Sequence, residues 1–399
     1  MERPIAGLLR HAQTSSPEDV VATLTEGARR IDGRDVVLYL VDYEQVLLQP
    51  TPDRLDHGEA VEPVSLAGSM AGRCYTTQTP LQAERDGCLQ LWVPVTERAN
   101  RLGVLAVTVN DIDDAGLAIA QEMGLLAAQL VLTGSAYCDR FHLQRRRKDL
   151  NLAAEMQWGL LPPLSFACNG TAVAGLLEPA YEVGGDCFDY ALNGGLLSVA
   201  VFDAMGHGLS SAMLSGLAVS AYRHARRSGQ LLEELFPSMD QAIEGLMGDA
   251  FVTVLAAELE LETGRLRWVS AGHPAPIVVR GGQALPELES AQVLPLGLGV
   301  NPAGPSTATE LSLEPGDVVL LYTDGVVEAR SPDKGEFGVE RLRDMVAREA
   351  NSGQLPSEML RRLIHSCLEW QQDRLRDDAT LLLFEWGAPG LPPGPDRLP

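Results

Sequence analysis

Four aspartates have the residue type and the spacing from which this sequence could do chemistry: Asp186 after Gly184-Gly185, Asp203 before Ala204-Met205-Gly206, Asp324 before Gly325, and Asp377 before Asp378. Each lies beside a glycine or a turn, and three adjoin a predicted buried strand. An aspartate at the end of a buried strand is poorly placed for packing. It is well placed to meet other carboxylates at the mouth of a sheet core, so the set predicts a carboxylate cluster.

Carboxylates that converge need a compensating cation, because bringing like charges together is costly. Ligands that are all oxygen favour Mg²⁺ or Mn²⁺ over zinc. Two such ions about 3.5–4 Å apart can share a water, lower its pKa and direct it at a phosphorus atom. No Lys or Arg occurs from Pro163 to Tyr222, so Asp186 and Asp203 have no ion-pair partner nearby in the sequence.

Each of these residues also has an ordinary structural explanation. An Asp-Gly pair is usually a turn, a double aspartate before a strand is usually a cap, and a loop histidine can simply be hydrogen-bonded. These explanations apply to Asp324, Asp377, Asp378, His207 and His273 taken singly. The functional interpretation depends on the whole set in order.

Composition limits the class of protein. The chain has 399 residues, of which 45% are hydrophobic, and a net charge of −23. This charge repels nucleic acid and anionic membranes, so neither is expected as a partner. Six dispersed cysteines without a CxxC pair argue against a zinc ribbon or a disulfide framework. The apolar stretches 115–137 and 191–222 contain polar residues and glycines, which favours buried segments over membrane spans. We therefore predict a cytoplasmic protein.

Hydrophobic periodicity predicts two α+β units joined by a helix, with the divisions 1–135, 136–162 and 163–387 and a disordered tail over 388–399. In the first unit a helix begins at the N-cap Ser16, strands cover 36–41, 91–95 and 103–109, and a helix over 117–131 closes the unit. The connection is predicted as one helix whose apolar seam is interrupted by Arg147 and Gln157. It could form a short dimer contact or dock on a neighbouring element.

In the second unit, predicted strands adjoin three of the four aspartates, ending at Asp203 and Asp324 and beginning just after Asp377-Asp378. The predicted elements are strands over 196–202, 251–261, 265–270, 318–323 and 380–386, and helices over 210–227, 339–350 and 356–374. The carboxylates should therefore lie at strand ends.

The motifs of this unit occur at 182–190, 203–208 with 211–213, 270–276, 296–298, 322–328 and 377–380. In this order they resemble the PPM-type metal-dependent serine/threonine phosphatases, in their bacterial SpoIIE-like branch. Residues 156–162 also look like the leading helix of that family. More weakly, the first unit resembles a GAF-type α/β sensor domain. The resemblance implies an α+β protein in which a helical linker joins the sensor to a β-sandwich flanked by helices.

The resemblance also implies roles for individual residues. Asp186 and Asp203 would share two ions, Mn²⁺ or Mg²⁺, and the Ala204 carbonyl would complete one coordination shell. Asp324 and Asp377 would hold the second ion, while Asp378 would orient the site. It stays open whether Asp378 instead binds the ion and Asp377 orients the site. His207 is a candidate general acid, although eukaryotic-type members place their histidine two residues after the aspartate rather than four. An upstream arginine that grips phosphate in those members has no counterpart here.

The implied function is hydrolysis of phosphoserine or phosphothreonine by a hydroxide activated between two metals. The implied substrate is a phosphorylated anti-sigma-factor antagonist, and the first unit would regulate the enzyme through an unknown ligand or upstream regulator. A homodimer is compatible with the connecting helix. Two alternatives are a phosphatase-like module that binds without turnover and a two-metal hydrolase acting on nucleotides. The lack of a basic or glycine-rich phosphate loop counts against the nucleotide hydrolase.

Overall fold

The computed structural model of the protein describes residues 4–51, 59–85, 87–168, 170–181, 184–245, 250–298, 305–333, 335–372 and 377–388. The chain divides into two compact units, the first ending at Asp149 and the second beginning at Leu150. This division falls inside the predicted connection. Most of the predicted tail, and Glu182 and Val183 of the first motif, lie outside the described residues.

The first unit is one antiparallel sheet with helices on both faces. Its helices are α1 (Pro4–Ala12), α2 (Val20–Ala28), α3 (Met70–Thr77), α4 (Asp114–Gly134) and α5 (Arg140–Gln144), and its strands are β1 (Arg34–Val41), β2 (Leu47–Thr51), β3 (Val64–Ser65), β4 (Leu81–Arg85), β5 (Cys88–Glu97) and β6 (Asn100–Val109). The strand order is β3-β2-β1-β6-β5-β4.

Helix α4 explains the apolar stretch that ends this unit. It is long and apolar enough to cross a membrane by composition alone. In the structure Ala120, Met123 and Ala127 pack into a core with Leu38 and Leu105 of the sheet. Covering a sheet face therefore accounts for its composition.

Two predictions in this region are wrong. The second helix begins at Val20, because residues 16–19 form a turn in which the Asp19 amide donates to the Ser16 carbonyl. The connecting helix is broken after α5: the Arg145 guanidinium donates to the Val41 carbonyl, which binds this segment to β1. A new helix, α6 (Leu152–Leu160), then begins at the N-cap Asn151.

The second unit contains the remaining elements. Its further helices are α7 (Leu209–Arg227), α8 (Leu232–Ile243), α9 (Asp324–Val327), α10 (Val339–Ala350) and α11 (Pro356–Trp370). Its strands are β7 (Ser165–Cys168), β8 (Gly170–Glu178), β9 (Asp186–Asn193), β10 (Leu196–Ala204), β11 (Val252–Glu260), β12 (Arg265–Ala271), β13 (Ile277–Arg280), β14 (Gln283–Ala284), β15 (Gln292–Val293), β16 (Thr309–Ser312), β17 (Val318–Tyr322), β18 (Arg330–Ser331), β19 (Gly335–Glu336) and β20 (Ala379–Ala388).

Two six-stranded sheets form a sandwich with helices outside. One sheet has the order β15-β12-β11-β10-β9 with β16 beside β12, and the other has the order β14-β13-β17-β20-β8-β7. Alternate residues of β10 face opposite ways. Val199 and Val201 join Leu321 and Leu382 of the other sheet in the inner core, while Phe202 packs under α7 and α8. Helices α10 and α11 cover the second sheet. The predicted helix-flanked β-sandwich is confirmed.

Candidate metal centre

Asp186 and Asp203 stand directly opposite each other on neighbouring antiparallel strands, β9 and β10. Residues in this relation have Cβ atoms about 4.5–5.5 Å apart on the same face. Phe188 and Val201, two residues from each aspartate, belong to the inner core between the sheets. Because side chains alternate along a strand, both aspartates face inward too, at the end of the sandwich interior.

The other sheet supplies the remaining carboxylates at the same end. Asp324 follows β17, and Asp377-Asp378 precede β20, the strand paired with β17. A hydrogen bond joins the sheets here: the Thr323 hydroxyl donates to Asp186 Oδ2 at 2.6 Å. The predicted carboxylates are therefore brought to one edge of the sandwich from both sheets.

The electrostatics show how closely the charges interact. Burial, reinforced by the charges of Asp324, Asp377 and Asp378, raises the pKa of Asp203 to about 7. Burial and then the charges of Asp203 and Asp378 raise the pKa of Asp186 well above its usual range. Burial also raises the pKa of Asp324, with Glu328 and Asp377 adding to it. Such a cluster favours a bound cation.

Asp378 is engaged with the backbone beside Asp186. Its Oδ2 accepts from the Gly184 amide at 2.6 Å and from the Asp186 amide at 3.3 Å. Burial raises the pKa of Asp378 to about 6 against the lowering effect of these bonds. Asp378 is buried, whereas Asp377 is exposed. These contacts support the orienting role for Asp378.

The glycine before Asp186 permits a close backbone approach. A Cβ at Gly185 would stand 2.1 Å from the Ala204 carbonyl oxygen, too close for any side chain. The Ala204 amide donates to the Gly185 carbonyl at 3.3 Å. Ala204 is thus held against the loop that carries Asp186, and its role as a metal ligand stays a prediction.

His207 is placed differently from the carboxylates. It lies on the loop between β10 and α7, between Gly206 and Gly208, which both have positive φ. Its side chain is exposed to solvent. The structure does not bring it into the buried part of the cluster, and its role as a general acid stays a prediction.

Two residues that position the Asp186 loop, Gln157 and Thr323, were not predicted from the sequence. Gln157 is fully buried and donates from Nε2 to the carbonyls of Gly184 (3.0 Å) and Asp186 (2.6 Å). Thr323 makes the bond to Asp186 described above. For Gln157 a signal existed, since it interrupts an apolar helix face. For Thr323 there was no such signal, because only the neighbouring Asp324 stood out as a candidate ligand.

Asp189, in the same motif as Asp186, is an ion-pair centre. Its Oδ1 accepts from Arg223 at 2.6 Å and its Oδ2 from Arg226 at 3.1 Å. Arg223 Nη2 also donates to the Leu160 carbonyl at 2.6 Å. Asp189 therefore ties β9 to α7, and through Arg223 to the end of α6.

His273 is a structural residue. Its Nε2 lies 2.9 Å from the Tyr322 carbonyl, and its Nδ1 lies 2.9 Å from the Thr253 hydroxyl. A carbonyl only accepts, so Nε2 carries the proton and Nδ1 accepts from Thr253. Burial lowers the pKa of His273 to about 4. The neutral ring joins β11 to the end of β17, next to Asp324.

Acid should destabilise the protein partly through His273. Below its ordinary pKa of about 6.5 the unfolded chain takes up a proton that the folded chain does not, so stability is lost as pH falls from there toward 4. Between pH 7.5 and 5 this loss is about 2 kcal/mol. Urea unfolding at both values should show that His273→Gln lacks this part of the loss. An equal pH dependence in both proteins would refute the assignment.

The residues fit a hard divalent cation in charge and ligand type. All candidate donors are carboxylate or carbonyl oxygens, the ligands that Mg²⁺ and Mn²⁺ prefer, and Gly185 cradles the Ala204 carbonyl oxygen. Within the described residues, no three His, Cys, Asp or Glu side chains are already arranged around one point. Asp186 and Asp378 accept the hydrogen bonds given above.

The comparisons with known proteins address this unit. Residues 193–387 match the family model described as Stage II sporulation protein E (SpoIIE); the match includes Asp203, Asp324, Asp377 and Asp378 and begins after Asp186. Phosphoserine phosphatase RsbU of Bacillus subtilis (strain 168) is 23% identical over 246 residues, 60% of this chain and 71% of RsbU. Phosphoserine phosphatase RsbP of the same organism is 24% identical over 195 residues, 47% of each chain.

A solved structure gives the same fold. The SiaA-PP2C domain of Pseudomonas aeruginosa has a TM-score of 0.50 at 23% identity, over 59% of this chain and 94% of that one. The GAF-like assignment of the first unit stays a prediction. The second unit is thus similar to the SpoIIE family over residues 193–387 and to the phosphoserine phosphatases RsbU and RsbP, and it has the fold of a PP2C domain.

Proposed function

We propose that this protein hydrolyses phosphoserine or phosphothreonine in a partner protein, using two divalent ions, Mn²⁺ or Mg²⁺. One observation carries the proposal: Asp186 and Asp203 face each other at the mouth of the sandwich, where the charges of Asp324, Asp377 and Asp378 also act on Asp203. A bound cation would offset the repulsion among these five carboxylates.

In this mechanism the chain supplies ligands and their orientation. When bound, the ions would neutralise the phosphate charge and lower the pKa of a water that attacks phosphorus. Asp186, Asp203 and the Ala204 carbonyl would hold them from the first sheet, and Asp324 and Asp377 from the second. Asp378 and Thr323 fix the loop and the carboxylate of Asp186. No Lys or Arg occurs from 163 to 222, so phosphate affinity would rest mainly on the cations.

His207 would supply the proton that the leaving serine oxygen needs. It lies four residues after Asp203 on a loop whose neighbouring glycines allow it to approach a bound substrate. Its exposure also allows exchange of protons with solvent. We include His207 as the general acid of the proposed reaction.

The surface beside the cluster favours a protein substrate. Met205, Leu209 and Met213 follow Asp203 within ten residues and are 48%, 43% and 51% exposed. Large apolar side chains at the edge of a site are typical of surfaces that contact proteins. The net charge of this protein is −23, so its surface does not attract a negatively charged phosphoprotein. Apolar contacts would therefore contribute to the binding of such a substrate. The resemblance makes a phosphorylated anti-sigma-factor antagonist the proposed substrate.

The first unit would regulate the second by binding a ligand. A cleft of about 650 Å³ lies on its sheet, with Tyr39, Trp92, Arg34 and Arg85 among the lining residues. Three carboxylate side chains also line the cleft, so it suits a small planar molecule with polar groups. The proposal includes an unknown ligand or upstream regulator that acts on the first unit. It also includes a cytoplasmic location and a possible homodimer.

Phosphate release from three substrates should separate the candidate functions. With Mn²⁺, the full chain should act on a phosphoserine peptide and an aryl phosphate, and at least tenfold more slowly on ATP. Preference for ATP would favour the nucleotide hydrolase. Tight binding of the phosphopeptide without phosphate release would favour the binding module, and either outcome would overturn the proposal.

A further inference from the structure

Gln157 of helix α6 contacts the loop over 184–186, which carries Asp186. Gln157 is fully buried, and its Nε2 donates to the carbonyls of both Gly184 and Asp186. A carboxamide nitrogen has two N–H groups, so one Gln can serve both carbonyls. Asp378 accepts from the amides of the same two residues. The backbone that carries Asp186 is therefore held by its carbonyls from α6 and by its amides from Asp378.

The helix that carries Gln157 is itself fixed on both sides. The Trp158 indole donates to the Ala180 carbonyl at 2.8 Å, and Arg223 of α7 donates to the Leu160 carbonyl at the helix end. Ala154 packs against Leu177 of β8. Gln157 thus has a rigid base from which to hold the loop.

Among the described residues, only the amide end of the Gln157 carboxamide is hydrogen-bonded. Gln157 Oε1 is buried and has no hydrogen-bond partner in the described part of the chain. An unpaired buried acceptor is unfavourable, and an apolar residue of similar size would avoid it. The benefit of the glutamine lies in the two carbonyls it holds.

We propose that Gln157 is a positioning residue that sets the place of the Asp186 carboxylate. The inference rests on the proposed function, because Asp186 matters only as a ligand of the reacting site. A turn of α6 by one residue rotates its side chains by about 100° and would take Nε2 away from both carbonyls. The backbone around Asp186 would then keep its contacts with Asp378 and Thr323 and lose those from α6.

The test uses the full chain with Gln157→Leu, which keeps similar bulk and removes both donors. Groups that orient metal ligands typically contribute 10–100-fold to affinity or activity. We expect a 10–100-fold lower kcat on an aryl phosphate and at least tenfold weaker Mn²⁺ binding by calorimetry. Amide hydrogen exchange over 184–186 should also become faster, which a general loss of packing elsewhere would not produce selectively.

Two further variants complete the design. Gln157→Glu keeps the size but replaces the donating amide with an acceptor, and it should be as impaired as the leucine variant. Leu152→Ala changes an exposed side chain of the same helix and should match wild type. Mn²⁺ affinity and kcat within twofold of wild type in Gln157→Leu would overturn the inference. If the wild-type protein binds Mn²⁺ but releases no phosphate, the proposed function is refuted, and the Mn²⁺ affinity of the variants still tests the role of Gln157. If the wild-type protein binds no Mn²⁺, both the proposed function and the inference are overturned.

Discussion

Asp203→Asn should lower metal-dependent phosphate release on the order of 1,000-fold, equivalent to about 4 kcal/mol of transition-state stabilisation. The substitution keeps the shape of the side chain and the pairing of β10 with β9 and β11. It removes a charge that faces Asp186 and interacts with three other carboxylates. The loss should appear in kcat for an aryl phosphate as well as for a phosphopeptide.

The same substitution should have the opposite effect on stability in chelator. Buried like charges oppose folding when no cation compensates them, so Asp203→Asn should unfold at a temperature equal to or higher than wild type. Added Mn²⁺ should then stabilise wild type and leave the variant nearly unchanged. Asp344→Asn, an exposed aspartate on α10, is the matched control. Retention of more than a tenth of wild-type turnover by Asp203→Asn would contradict the assignment.

Asp189→Ala should destabilise the second unit by about 3–5 kcal/mol, because it leaves two partly buried guanidinium groups without their counter-ion. Asp189 is 2% exposed and Arg226 is 12% exposed. For a unit of this size the melting temperature should fall on the order of 10 °C. Thermal unfolding in chelator measures this effect separately from metal binding.

A surface pair provides the control for Asp189. Glu336 and Arg330 form an ion pair of 2.5 Å with more than half of each side chain exposed. Because such pairs contribute little, Glu336→Ala should cost less than about 1 kcal/mol. Equal effects of the two substitutions would show that the pairs of Asp189 do not stabilise the structure.

The carboxylate cluster could be predicted because three of the four aspartates follow or precede an apolar run that forms a strand. The residues of β10 are buried on both faces of the sheet, so the strand is mostly apolar before Asp203. A charged residue directly after this apolar run therefore stands out in the sequence. Which aspartates stand opposite each other could not be predicted in the same way. The pairing of β17 with β20 joins residues about sixty positions apart, and the sheets meet only in the folded chain.

The missed residues show the same limit. Gln157 was visible as a polar residue on an apolar helix face, but its partners lie 27 and 29 residues away. Asp189 has its two arginines on α7, outside its own motif. The break in the connecting helix depends on Arg145 and the Val41 carbonyl, 104 residues apart. In each case a contact with a residue distant in the sequence determined the role of the residue.

The measurement that tests the central claim most directly is a Mn²⁺ titration of the full chain after treatment with chelator. Bound Mn²⁺ and phosphate release from a phosphoserine peptide are followed in the same samples. We expect no release in chelator and a rise in release as about two ions bind per chain. A folded chain that binds no Mn²⁺ and releases no phosphate at any concentration would contradict the account.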